Sequence, residues 1–286
     1  MVDISAAQVK ELREKTGLGL MDCKKALQGS DGDIELAIEE LRKSSGLKAS
    51  KKSGRSAADG VIGSFSSQGQ SCMVEINCET DFVARDDSFN AFVQEVIIEV
   101  SNNKSSLEDL LDQGIEEKRE KLVQKLGENI VIRRISRSID DADFSGLYVH
   151  STNKIGVIVS LEGGNEKIAR DIALHAAATD PLSVSPEDIP EDIIIKEKEI
   201  YRAQAEGSGK PAEIVEKMIE GKIRKYLAEV SLTEQGFVKD PNIKISDILS
   251  ESNAKILGFT RFEVGEGIEV EKVDFASEVM SQIQGS

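Results

Sequence analysis

Twice along this chain, two short strand-like runs joined by a polar turn are followed by a helical stretch and, later, by one more strand. Residues 60–65, a Ser/Gln/Gly turn, residues 72–77 and a helix at 89–101 make the first unit, closed by a strand at 130–135. Residues 105–127 add helix ahead of that closing strand. Residues 146–150, an Asn153-Lys154 turn, residues 156–161 and a helix at 165–178 make the second, closed at 261–264. The two halves share little identity, so the repeat is one of element order. A hairpin that must bury a face against the helix that follows it predicts an α+β core of two small antiparallel sheets, each backed by helices.

The run entering residue 78 alternates as a strand does. Cys72, Val74, Ile76 and Cys78 fall on one face, and Met73, Glu75 and Asn77 on the other. The alternation stops at Thr80-Asp81-Phe82-Val83, where an aromatic residue stands at the mouth of a strand with no turn-forming glycine. Two readings are open there. Phe82 either starts the next core helix, or is a hydrophobic wedge that a rigid strand end presents to a partner.

Ahead of the core, residues 5–44 predict three short helices. Ser5 caps the first, whose apolar face carries Val9 and Leu12, and Thr16-Gly17 stops it. The second runs from about Met21 to Leu27. Asp33 caps the third, with Ile34, Ala37, Ile38 and Leu41 as its stripe. Residues 43–60, with Lys48, Lys51, Lys52 and Arg55, form the one clearly basic stretch and predict a partly helical connector.

Residues 190–206 and 211–230 are helical in pattern and highly charged, joined by Gly207-Ser208-Gly209-Lys210, and predict an antiparallel helical hairpin. Ile193, Ile200, Ile214, Ile219, Ile223 and Leu227 are too few for a separate globule but can seal two helices into a finger about 25–30 Å long. Near the end, Phe275, Val279, Met280 and Ile283 share one helical face, suited to the chain's own core or to a partner.

Composition narrows the chemistry. A chain of 286 residues suggests two or three domains. A net charge of −16 argues against tracking a phosphate backbone and suits a protein partner. Three cysteines, Cys23, Cys72 and Cys78, include no C-x-x-C spacing, and small buried hydrophobes is the reading preferred over a disulfide framework or zinc site. No apolar run approaches the ~20 residues of a membrane span. With no signal or transit pattern, a reducing cytoplasm is the expected compartment. Gly207-Ser208-Gly209-Lys210-Pro211 lacks the upstream glycine of a phosphate loop, so no nucleotide is expected on this chain. The two histidines, His150 and His175, have no neighbouring nucleophile motif, and His175 reads as a packed helix residue. No catalytic residue, cofactor or metal site is predicted.

Two motifs carry a family resemblance. Glu-Ile-Asn-Cys-Glu-Thr-Asp-Phe-Val-Ala-Arg at 75–85 resembles the second signature of the bacterial elongation factor Ts family. Leu-Arg-Glu-Lys-Thr-Gly-Leu-Gly-Leu-Met-Asp-Cys-Lys-Lys-Ala-Leu at 12–27 is similar to its first. The likeness extends over essentially the whole chain, including Gly127-Glu128-Asn129 and the 261–267 run. It implies a nucleotide-exchange factor, not an enzyme, whose partner is the translation GTPase EF-Tu, with no direct nucleic-acid or membrane partner. A homodimer, or a 2:2 complex with EF-Tu, is compatible with it. The domains expected are a bundle resembling the ubiquitin-associated domain with its basic linker (1–54), two core subdomains (55–140, and 141–185 with 231–263), the inserted coiled-coil hairpin (186–230) and a C-terminal module (264–286). Mitochondrial-type relatives typically lack the hairpin, which points to a bacterial source.

The resemblance also assigns roles. Asp81 and Phe82, flanked by Thr80 and Val83, take the place of the pair that inserts beside the GTPase switch region and disturbs its magnesium site. Leu20 and Met21 match the bundle's apolar contact pair, with Leu20 where Met is common. Lys24 and Lys52 match basic positions. Leu126, Gly127 and His150 match positions touching a second partner domain, with Leu126 replacing a common Ile. A second reading, resting on residues 5–44 alone, is an adaptor of the ubiquitin-associated type without exchange activity. An enzyme working in a cleft between the sheets has no supporting constellation.

Overall fold

A computed structural model describes residues 4–104, 106–205 and 211–269. Within them the chain divides into two compact units. One comprises the residues up to Gly63, Val74–Arg134 and the segment from Val264; the other comprises Ser64–Met73 and Ile135–Glu263.

The first unit opens with three helices, α1 (Ala6–Thr16), α2 (Leu20–Gly29) and α3 (Ile34–Lys52). Ser5 caps α1 with a reciprocal bond to Gln8, and Gly17 ends it at φ 70. Asp33 caps α3 through the Leu36 amide. Val9, Leu12, Leu18, Cys23, Leu27, Ala37 and Leu41 close a core of their own. The connector predicted over residues 43–60 is partly helical, because α3 runs on to Lys52. Small residues continue its buried face at Ser45 and Ala49. There it packs on α7 (Glu116–Leu126), with Arg42 paired to Glu117 at 2.7 Å.

Strands β1 (Asp59–Ser67) and β2 (Gln70–Cys78) turn at Gln68 and Gly69, both left-handed, which is the tight turn that matches strand twist. With β3 (Ile130–Arg137) they form a sheet in the order β1-β2-β3. Helices α4 (Asp81–Ala84), α5 (Asp87–Asn102) and α6 (Leu107–Leu110) follow β2, and a π-helical turn at Leu111–Ile115 leads into α7. Both faces of β2 are covered, so the polar positions of its alternation are buried too. Glu75 has no exposure and accepts from Arg133 (3.0 Å), Asn77 (3.1 Å), the Gly265 amide (2.9 Å) and Arg134 (2.6 Å). Burial pushes its carboxyl up, but these four donors outweigh that and hold it below the usual carboxylate range.

In the second unit, β4 (Phe144–Val149), β5 (Ile155–Glu162) and β8 (Lys255–Glu263) form an antiparallel sheet in the order β4-β5-β8, with Tyr148 opposite Val157 and Val157 opposite Arg261. The closing strand predicted at 261–264 therefore begins six residues earlier, at Lys255. Its polar Lys255 and Thr260 and its Gly258, which has no side chain, hide it from periodicity, while register with the buried Val157 and Val159 defines it. Helix α8 (Glu166–Thr179) lies so close to β4 that a Cβ on Gly146 would come within 2.0 Å of the Ala169 backbone.

Two helices, α9 (Glu191–Ala205) and α10 (Ala212–Val230), pack as the expected hairpin. Its seam is shorter than predicted: Ile219 and Ile223 are buried, whereas Ile200 and Ile214 are exposed. A small ladder of β6 (Gly236–Phe237) and β7 (Asp240–Lys244), then α11 (Ile245–Glu251), were not legible as periodic runs. His175 on α8 accepts from the Val238 amide at Nδ1 (3.1 Å) and meets Gln235 Oε1 through Nε2 (2.9 Å), so it packs neutral. Burial pushes its pKa down. The helix predicted over Phe275–Ile283 and the Gly207–Lys210 turn lie outside the described residues.

Candidate functional site

The strand end is built by capping. Thr80 leaves β2 in extended geometry and its hydroxyl accepts from the Val83 amide at 3.4 Å, starting the single turn α4. Val83 and Ala84 turn inward and are buried. Phe82 turns outward and is 82% exposed, so it does not enter the core. Asp81 pairs with Arg85 at 2.8 Å on the same exposed turn. Asp86 then caps α5 through the Ser88 and Phe89 amides, 2.7 and 3.3 Å from one carboxylate oxygen. Burial works against ionisation of Asp86, and those amides hold its pKa below the usual range.

Beneath the turn lies a residue to which sequence reasoning gave no role. The Glu128 carboxylate accepts from the Glu79 amide (3.1 Å), the Thr80 amide (3.0 Å) and the Thr80 hydroxyl (2.7 Å). Glu79 in turn accepts from the Asn129 amide at 2.6 Å. The only signal was membership of the Gly127-Glu128-Asn129 run, because one more carboxylate among 52 acidic residues carries no message of its own. Gly127 caps α7 at φ 80, a left-handed turn for which glycine is suited, and its carbonyl accepts from Lys52. Leu126 is half-buried.

Leu20 and Met21 occupy the first turn of α2 and are 53% and 65% exposed, while Cys23 and Leu27 behind them are buried. Asp22 pairs with Lys48 at 3.1 Å, pinning this turn to α3. Lys24 is exposed. Direct hydrogen bonds thus link Thr80 to Glu128, next to Gly127, and Gly127 to Lys52. They do not reach Leu20, Met21 or Lys24. His150 belongs to the second unit; it is exposed, with Nδ1 2.8 Å from the Thr152 hydroxyl at the turn into β5.

The three cysteines are buried and none is in a disulfide, and burial raises the Cys72 thiol. Among the described residues no group of three His, Cys, Asp or Glu is placed to hold a metal ion, and no helix is long and apolar enough to cross a membrane. What the arrangement can do is bind. It leaves large apolar side chains in water, Phe82 on a turn capped by Thr80 and Leu20 and Met21 on the first turn of α2, which is how protein contacts are prepared.

A family model described as Elongation factor TS matches residues 79–266. Elongation factor Ts of Hahella chejuensis is 54% identical over 288 residues, covering all of both chains. Elongation factor Ts of Marinobacter nauticus is 52% identical over 282 residues, covering 98% of this chain and 97% of its own. Elongation factor Ts of Francisella tularensis subsp. novicida is 50% identical over 292 residues, again covering all of both. The class is therefore that of translation elongation factors. Within it, the chain belongs to the elongation factor Ts family.

Proposed function

We propose that this chain binds EF-Tu carrying GDP and promotes GDP release by wedging Asp81 and Phe82 beside the GTPase's magnesium site, without covalent chemistry of its own. The observation that carries this is Phe82, an aromatic ring 82% exposed on a turn capped at both ends. A ring held in water by rigid backbone meets a partner at little ordering cost. Inserted among packed side chains of the GTPase, it displaces the elements that hold the metal. Loss of the divalent ion removes the largest countercharge to the phosphates.

Leu20, Met21 and Lys24 supply a second grip from the helical bundle, and Leu126, Gly127 and His150 a third on another domain of the partner. Val83 acts from beneath, by anchoring the turn. Lys52, whose ammonium rests on the Gly127 carbonyl, braces that third contact. Nanomolar nucleotide binding is about 12 kcal/mol, and coupling is reciprocal: a factor that weakens nucleotide binding is itself displaced by nucleotide. The ternary complex is thus easy to enter and to leave. Exposed Ile200 and Ile214 suit the hairpin to a further contact, with EF-Tu or with a second factor in a 2:2 complex.

Release of fluorescent GDP from EF-Tu, followed with and without this chain, tests the proposal. Acceleration at substoichiometric factor supports it. Binding without acceleration would favour an adaptor of the ubiquitin-associated type.

A further inference from the structure

We infer that Glu128 is a positioning residue for the Asp81–Phe82 turn: its carboxylate locks the end of β2 so that the wedge and the neighbouring Leu126–Gly127 contact behave as one rigid element. The inference rests on the exchange reading proposed above and names a residue that acts through Phe82.

The geometry is that of a clamp with two jaws. Where β2 ends, the Glu79 and Thr80 amides meet one oxygen of Glu128, at 3.1 and 3.0 Å. The other oxygen accepts a hydrogen bond from the Thr80 hydroxyl at 2.7 Å. That contact orients the Thr80 hydroxyl, leaving its lone pair toward the Val83 amide as the cap of α4. In the opposite direction, the Asn129 amide donates to the Glu79 carboxylate at 2.6 Å. Asn129 is itself buried and donates through Nδ2 to the Arg55 carbonyl at 2.8 Å. Both jaws are therefore held from below, and the bonds to Glu128 are of the charge-assisted kind.

Phe82 is two residues beyond the clamp and touches little of its own protein. Its orientation is set by the turn beneath it, and the turn's first cap depends on the hydroxyl that Glu128 orients. Without Glu128 the amides of 79 and 80 turn to water, the cap loosens, and the ring samples directions that the partner must then pay to narrow. Gly127 turns the chain at the end of α7 and Lys52 holds its carbonyl, so the clamp also fixes the distance between wedge and Leu126.

The test uses the full chain with Glu128→Ala and Glu128→Gln, each alone and with Phe82→Ala. Three quantities are read: thermal unfolding, amide hydrogen–deuterium exchange of residues 79–84 in the free factor, and GDP release from EF-Tu as a function of factor concentration. Glu128→Ala is expected to speed amide exchange at Thr80 and Val83 about tenfold and to lower the maximal release rate about tenfold, equivalent to about 1.4 kcal/mol. Glu128→Gln keeps one acceptor oxygen and is expected to fall between, which preserves the test if the alanine variant does not fold. In the Phe82→Ala background neither change should cost anything further, because the wedge is already gone. An equal fold-loss with and without Phe82 would show a general structural role and overturn the inference. So would unaltered amide exchange, or full release, in a folded variant. If the wild-type chain itself fails to accelerate release, the exchange reading falls, and the amide-exchange arm still decides the clamp.

Discussion

Truncating Phe82 to alanine separates a role in the partner complex from a role in the fold. The ring is 82% exposed, so its removal opens no cavity and should change stability by no more than about 0.5 kcal/mol. The cost falls on the complex. A phenylalanine buries about 200 Å² when fully covered, and at 82% initial exposure nearly all of that remains for a partner to cover. At about 25 cal/mol per Å² this amounts to about 4 kcal/mol, of which the alanine methyl recovers a part. About 3 kcal/mol should be lost, in the lower part of the range for interface hot spots, and it corresponds to a slowing of stimulated release by about two orders of magnitude. Stopped-flow release of fluorescent GDP from EF-Tu reads it, alongside a melting curve for the free variant. The metal adds a second axis. If the wedge acts by weakening the partner's magnesium site, the deficit is largest at saturating Mg²⁺ and shrinks in chelator, because excess metal opposes the factor by mass action. A folded variant that stimulates release as wild type does would refute the wedge. An equal deficit in both metal conditions would place the mechanism at the phosphates or the base.

Three further outcomes follow from buried features. Glu75→Gln should destabilise by about 3 kcal/mol at neutral pH, because it takes from the half-buried Arg133 and Arg134 the fully buried carboxylate that faces both. Because the folded carboxyl is held low, its stabilisation is present above the ordinary carboxylate pKa of 4.5 and is lost as pH falls through the folded value; the variant's acid unfolding limb should be flatter in denaturant titrations. His175 is held neutral with its pKa lowered, so the unfolded chain binds the extra proton first and stability should decline as pH drops below about 6.5. His175→Gln should remove that slope between pH 7.5 and 5.5, measured by urea unfolding. Gly146→Ala should cost about 3 kcal/mol or more and lower Tm, because the new methyl collides with helix backbone at Ala169 that cannot swing aside as a side chain could.

Local chemistry made much of the architecture legible. Caps at Ser5 and Asp33, the stop at Gly17 and the stripe Ile34, Ala37, Ile38, Leu41 are interactions among residues a few positions apart, so a linear reading captures them. The hairpin-and-helix order of each sheet, and the halt in alternation at Thr80, are equally local. Tertiary structure decided what depends on residues far apart in the chain. Whether Phe82 enters a core or faces water turned on Val83 and Ala84 taking the inward positions. Extension of α3 through Lys52 required α7 as a surface to lie on. The start of β8 at Lys255 was set by its register on β5, not by any apolar rhythm of its own. Ile200 and Ile214 are apolar and helical, yet the seam leaves them exposed. Glu75 and Glu128 read as ordinary acids among many; only folding brings Arg133, Arg134 and the Gly265 amide to the first, and the end of β2 to the second. A carboxylate's role is set by the donors around it, and apart from Asn77, two residues from Glu75, those donors lie 48 to 190 residues away in sequence, beyond the reach of any periodicity.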